Sequence, residues 1–129
     1  MKKPVWIEEQ DVLVLHARLL ALDGGPAGIR SAALLQSVLA RPKQLRAYGG
    51  KRDIVSMAAL YTAGIVRNHP FVDGNKRTGF LVSVLFLELN GYRFTATEED
   101  ATQAILELAA GTLGEDGFEE WLRANATRE

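Results

Sequence analysis

The 129-residue chain contains no cysteine. That excludes a disulfide framework, a thiolate metal site and a thiol nucleophile, and it fits a reducing compartment. Net charge is lacking too: 15 Lys and Arg stand against 16 Asp and Glu, a formal −1. No global basic field is present to hold DNA directly. No stretch supplies the roughly 18 uninterrupted apolar residues of a membrane span. The block 54–89 comes nearest, but Arg67, His69, Asp73, Lys76 and Arg77 divide it. The opening MKKPVWIEEQD turns acidic before any long apolar run, so no signal peptide is expected. Internal repeats and low-complexity tracts are also missing. What remains is one domain, residues 1–129, expected in the cytoplasm and large enough to bury roughly two-thirds of its unfolded surface.

Helical patterns fill most of the sequence, and nothing reads as a sheet. Residues 7–22 form an amphipathic helix with Glu8 and Glu9 at its positive end, stopped by Asp23-Gly24-Gly25-Pro26. Ser31 caps a second helix that runs to about Ala40, with Pro42 just beyond. Residues 41–52 then read as a basic connection with a Gly-Gly pair. Asp53 caps a third helix to about Asn68, and a fourth runs from near Asn75 to Asn90-Gly91. Both are apolar nearly all round, which marks buried central helices. Tyr92 to Thr95 reads as an extended link. Thr97 and Asp100 open a fifth helix to about Ala110, and a last one covers about Phe118 to Asn125. The fold class is all-α.

Between the two most apolar helices lies HPFVDGNKRTGF, residues 69–80. Pro70 disfavours helical dihedrals at His69, ending the third helix there. Gly74 permits the turn into the fourth. The first N–H groups of that helix lack intrahelical partners and face outward at its positive end, which makes an anion site. Lys76 and Arg77 stand in the same turn, where cations oppose the dipole. Two of them there point to a larger negative charge, such as a polyphosphate. Asn75 can donate to a phosphate oxygen or cap the helix. Asp73 is a hard oxygen ligand suited to Mg²⁺ that bridges phosphates. His69 is a neutral base near physiological pH, one loop-width from the anion. Phe71 reads as a plug into the core. The same residues also fit an ordinary capped turn with a solvated first helical turn. Against that bland reading stands their position, between two buried helices.

The Walker pattern is excluded, because Gly74 is followed by Asn75 and not by Lys. A zincin site is excluded by Pro70 and by the lack of Glu after His69. His16, on a mostly apolar helix, reads as a satisfied packing residue. Trp6 and Trp121 read as core or end-sealing aromatics. Glu88 and Glu107 have no partner that the sequence names.

HPFVDGNKRT closely resembles the motif of the Fic/Doc family, HxFx(D/E)GN(G/K)R. His69, Phe71, Asp73, Gly74, Asn75 and Arg77 all match it. LHARLLALDGGPAGIRSAALLQSVLARP, VRNHP and FLELNGYRFTAT extend the likeness to the Doc, or death-on-curing, branch over nearly the whole chain. The resemblance implies a helical fold of six or seven helices with the motif between two central ones. It implies that His69 deprotonates a protein hydroxyl, that Asp73 holds Mg²⁺, and that Gly74, Asn75 and Arg77 bind nucleotide phosphates. Phe71 is then structural.

Two positions depart from adenylylating Fic enzymes. Lys76 stands where they usually have glycine, and Phe80 stands where they usually have a second arginine. The lysine adds bulk and charge beside the phosphate, and the second change removes a bidentate clamp. Both changes resemble Doc. That branch implies phosphoryl transfer from ATP, with Mg²⁺, to a threonine of elongation factor Tu, a translation factor. AMP transfer by the same site is the alternative, and an idle helical binding module is the third. Thr95 to Asp100 overlaps the self-inhibitory pattern (S/T)xxxE(G/N) but ends in Asp, so Thr97 reads as a helix cap. Restraint is then expected from a separate antitoxin laid over the active-site groove. The 41–52 connection, with Arg41, Lys43, Arg46, Tyr48, Lys51 and Arg52, lies where Fic-type proteins carry a target-aligning flap, and it reads equally as a solvated basic loop.

Overall fold

A computed structural model describes residues 3–49 and 52–129. It contains six helices among those residues: α1 (Glu9–Asp23), α2 (Ala32–Ala47), α3 (Ile54–Asn68), α4 (Asn75–Leu89), α5 (Glu98–Ala110) and α6 (Glu115–Ala124). Two three-residue strands, β1 (Tyr92–Phe94) and β2 (Ala126–Arg128), complete it. No described helix is long and apolar enough to cross a membrane.

α3 is the axis of the molecule. Every residue from Val55 to Val66 is buried, and α2, α4, α5 and α6 pack around it. Its start is fixed by Asp53, whose carboxylate accepts from Ser56 N–H at 2.9 Å. Its partners approach closely where glycine removes the side chain. A Cβ on Gly64 would lie 2.6 Å from Val38 Cγ1 of α2, and one on Gly79 of α4 would lie 2.8 Å from Val66 Cγ2. Trp6 lies against Phe86, and Trp121 against Phe94 and Phe118, closing two ends of the core.

Four features differ from the sequence expectation, the first being that α1 starts at Glu9, with Glu8 as its N-cap, and not at residue 7. α2 does not stop before Pro42 but continues to Ala47. Leu35, Val38, Leu39 and Pro42 are all buried and are spaced as one helical stripe. Burying the proline ring with that stripe offsets the backbone bond it cannot make. α6 begins at Glu115, three residues early, because Glu115 and Asp116 suit its positive end. The link after α4 is a strand. Tyr92, Arg93 and Phe94 pair antiparallel with Arg128, Thr127 and Ala126, so the helical fold carries a small sheet that sequence reading did not anticipate. Thr97 does cap α5, accepting from Asp100 N–H at 3.1 Å.

The basic connection is correspondingly different. Arg41, Lys43 and Arg46 are helical residues of α2. Arg41 pairs with Glu115, and Lys43 pairs with Glu8 and sits over the Trp6 ring. Gly50 and Lys51 lie outside the described residues.

Candidate active site

α3 ends at Asn68, and His69 caps it in the left-handed region, φ 51° and ψ 60°. Its N–H still donates to Ile65 O at 3.2 Å. Pro70 then turns the chain, and Phe71 plunges inward to 1% exposure. The Phe71 ring stacks on His16 of α1, centroids 3.8 Å apart and planes within 10°. His16 Nε2 lies 2.8 Å from Asp73 O. A carbonyl can only accept, so that nitrogen carries the proton. His16 is thus a packed and hydrogen-bonded residue that also holds the motif loop from beneath.

Gly74, with φ 81°, caps α4 without a side-chain bond. Such positive φ is readily available only to glycine. The first α4 bond runs from Thr78 N–H to Gly74 O at 2.9 Å. The N–H groups of Asn75, Lys76 and Arg77 precede it and are free of intrahelical partners. Asn75 is buried, and its amide spans the loop: Oδ1 accepts from Phe71 N–H and Nδ2 donates to Phe71 O, both at 3.0 Å. Oδ1 and one of the two Nδ2 hydrogens are thereby engaged on the loop backbone, a use that sequence reading did not name. The main-chain N–H of Asn75 has no intrahelical partner.

These elements open onto a groove of about 920 Å³. His69, Asp73, Gly74, Asn75, Lys76 and Arg77 all line it. Glu98, Thr102 and Leu106 of α5 line it too, as do Leu19, Leu20, Asp23 and Gly25 from α1 and the turn after it. Phe71 is absent from the lining, consistent with its burial. Arg41, Lys43, Arg46 and Arg52 are also absent, so no described cation of the 41–52 segment meets the groove. Glu99 is not part of this lining either, whereas Glu98 is.

Sequence reading missed three participants. Asp23, read only as part of a helix stop, forms an ion pair with Arg77 in the groove lining. Gly25, φ 110°, leaves room for Asp73: a Cβ there would stand 2.6 Å from Asp73 Oδ2. Arg30 donates from Nε to His69 O at 2.6 Å and from Nη2 to Asn68 O at 2.5 Å. The only available signal was local, in Gly-rich turns and an isolated arginine, and it carried no indication of these partners.

No cluster of three or more His, Asp and Glu able to hold a metal occurs among the described residues. Asp73 nonetheless has space made for it by Gly25, beside a helix start whose first N–H groups lack intrahelical partners. One carboxylate plus substrate phosphates is the usual protein share of a Mg²⁺ site, so the residues fit a metal that arrives with a nucleotide.

The sequence profile of the Fic/DOC family matches residues 6–87. The chain is similar to a protein named protein kinase doc from Escherichia phage P1, at 29% identity over 66% of this chain and 68% of that protein. It is similar also to a toxin Doc from Mycolicibacterium smegmatis, at 36% identity over 70% of this chain and 68% of that one. The profile match spans more than half of the chain, and the second relative is matched across two-thirds of its length. The chain belongs to the Fic/DOC family.

Proposed function

We propose that the chain is a Doc-like toxin: a Mg²⁺- and ATP-dependent kinase that phosphorylates a threonine or serine hydroxyl of a translation factor and so blocks translation. Elongation factor Tu is the factor implied by family likeness. One observation carries this reading. The start of α4, whose first N–H groups lack intrahelical partners, lines with Asn75, Lys76 and Arg77 a groove that has His69 on its wall. The relatives named protein kinase doc and toxin Doc support the same class.

Each residue then has one task. The α4 N–H groups and the Lys76 ammonium bind phosphate oxygens. The Arg77 guanidinium binds them after exchanging Asp23 for phosphate. Asp73 takes up Mg²⁺, which when bound neutralises charge on the phosphates. His69, as a neutral imidazole, accepts the proton of the incoming hydroxyl. Lys76 and Phe80, standing where adenylylating relatives have glycine and a second arginine, favour transfer of the γ-phosphoryl group.

AMP transfer by the same site is the second reading, because the Fic/DOC family to which the chain belongs includes adenylylating enzymes with the same motif. ATP labelled at the α or at the γ position separates the two. Phosphate adds about 80 Da to the target and AMP about 329 Da. Label arriving only from the α position would eliminate the kinase. Restraint falls to an antitoxin laid over the groove, whose lining includes the exposed apolar side chains of Val72 and Leu106. Expression without that partner is expected to arrest growth, and harmless expression of the intact chain counts against the toxin reading.

A further inference from the structure

The segment between α1 and α2 grips the turn that carries His69. Gly28 O accepts from Val72 N–H at 3.1 Å, and Pro70 O accepts from the N–H groups of Arg30 and Ser31 at 2.7 and 3.0 Å. Ile29 bridges Phe71 in antiparallel fashion. The Arg30 side chain adds its two bonds to the consecutive carbonyls of Asn68 and His69. Those carbonyls end a buried helix, where C=O groups lack intrahelical partners and a cation is favoured by the dipole.

His69 is the one non-glycine residue with positive φ among the described residues. L side chains are crowded there by the following carbonyl. Such a conformation persists when its surroundings over-determine it. Behind His69, the helix supplies the Ile65 bond to its N–H. Ahead of it, the guanidinium holds its own carbonyl and the one before. The planar fork of arginine suits two neighbouring acceptors, whereas an ammonium is a single point.

We propose that Arg30 is a positioning residue for His69: by clamping the Asn68 and His69 carbonyls it holds the left-handed turn that aims the imidazole into the groove. The catalytic part of this inference rests on reading His69 as the base, but the conformational part does not. Arg30 itself is absent from the groove lining, so it acts through His69 and not on the nucleotide.

The test compares the full chain with Arg30→Ala and Arg30→Lys. In ligand-free protein, Arg30→Ala should shift the His69 backbone Cα and Cβ resonances away from left-handed values while those of residues 55–66 stay in place. In the transfer assay, kcat should fall about tenfold or more with KM for ATP within about twofold, since misplacing a reacting group costs rate. Arg30→Lys should recover part of both readouts. Unmoved His69 resonances in Arg30→Ala, or a parental kcat, overturn the inference. Should Arg30→Ala fail to fold, Arg30→Lys decides by the same readouts, and parental values in both overturn it. A parent chain without transferase activity defeats the proposed function alone, and the resonances then decide the role of Arg30.

Discussion

His16 of α1 hydrogen-bonds the backbone of Asp73 while its ring stacks on Phe71. One buried side chain therefore fixes both the plug and the proposed metal-binding turn of a loop 57 positions away. His16→Phe keeps an aromatic stack and removes the bond. A hydrogen bond of this kind contributes about 1 kcal/mol, so the melting temperature should fall by only a few degrees for a chain of this size. Affinity for a Mg²⁺–ATP analogue, measured by calorimetry, should drop several-fold on the same scale. Unchanged affinity would mean that the Asp73 turn holds its shape unaided.

His69→Asn tests the base without disturbing the turn. Asparagine tolerates the left-handed region better than most residues, and His69 is exposed. The variant should melt like the parent and still bind nucleotide, yet transfer and growth arrest should be lost. Toxicity that survives this change would rule out group transfer as its cause.

Gly79→Ala should destabilise the fold. The new methyl would meet Val66 Cγ2 at 2.8 Å and Thr62 O at 3.4 Å, and overpacking of a tight core costs about 1–3 kcal/mol. The helical gain of alanine over glycine, about 1 kcal/mol, opposes it only in part. Adding Val66→Ala should restore some of the loss, a non-additivity visible in chemical denaturation as a double-mutant cycle.

Acid and alkali should act through two different residues. The Arg123 hydrogen bond lowers the Asp53 pKa below its ordinary 3.8, with burial opposing it and bonds to Ser56 assisting. A depressed carboxyl stabilises the fold above its unfolded pKa and loses that contribution as pH falls through the folded value. The loss therefore lies below about pH 4. Asp53→Asn retains a helix cap and should flatten the acid limb of melting temperature against pH. Tyr61 is pushed up to about 12, chiefly by burial. Its contribution is complete below the unfolded value of 10 and is lost as pH rises through the folded one. Of the three tyrosines, one should therefore ionise late in an absorbance titration, and Tyr61→Phe should abolish that late step.

How much of this was legible in the sequence depends on the distance between partners. Asp53 and Thr97 cap helices three residues downstream, and the 69–77 motif is contiguous; local chemistry is enough for these. Pro42 misled because local propensity argues for a break, and only the buried stripe shared with Leu35, Val38 and Leu39 argues against one. β2 escaped notice because three residues carry too little alternation to show a strand, and its partner lies across α5 and α6. The Arg30, Asp23 and His16 contacts join residues 39, 54 and 57 positions apart. No pattern within one segment encodes them. The Asn75 side chain had two chemically sensible uses, phosphate or cap, and the fold assigned it a third, on the Phe71 backbone.

The pairing of Asp23 with Arg77 changes what loading this groove means. The guanidinium already has a counterion built into the chain, so under the proposed function an arriving polyphosphate would have to evict a tethered rival as well as find an open charge. Recognition becomes an exchange of anions, and a ligand with a single weak negative charge has little leverage against the resident one.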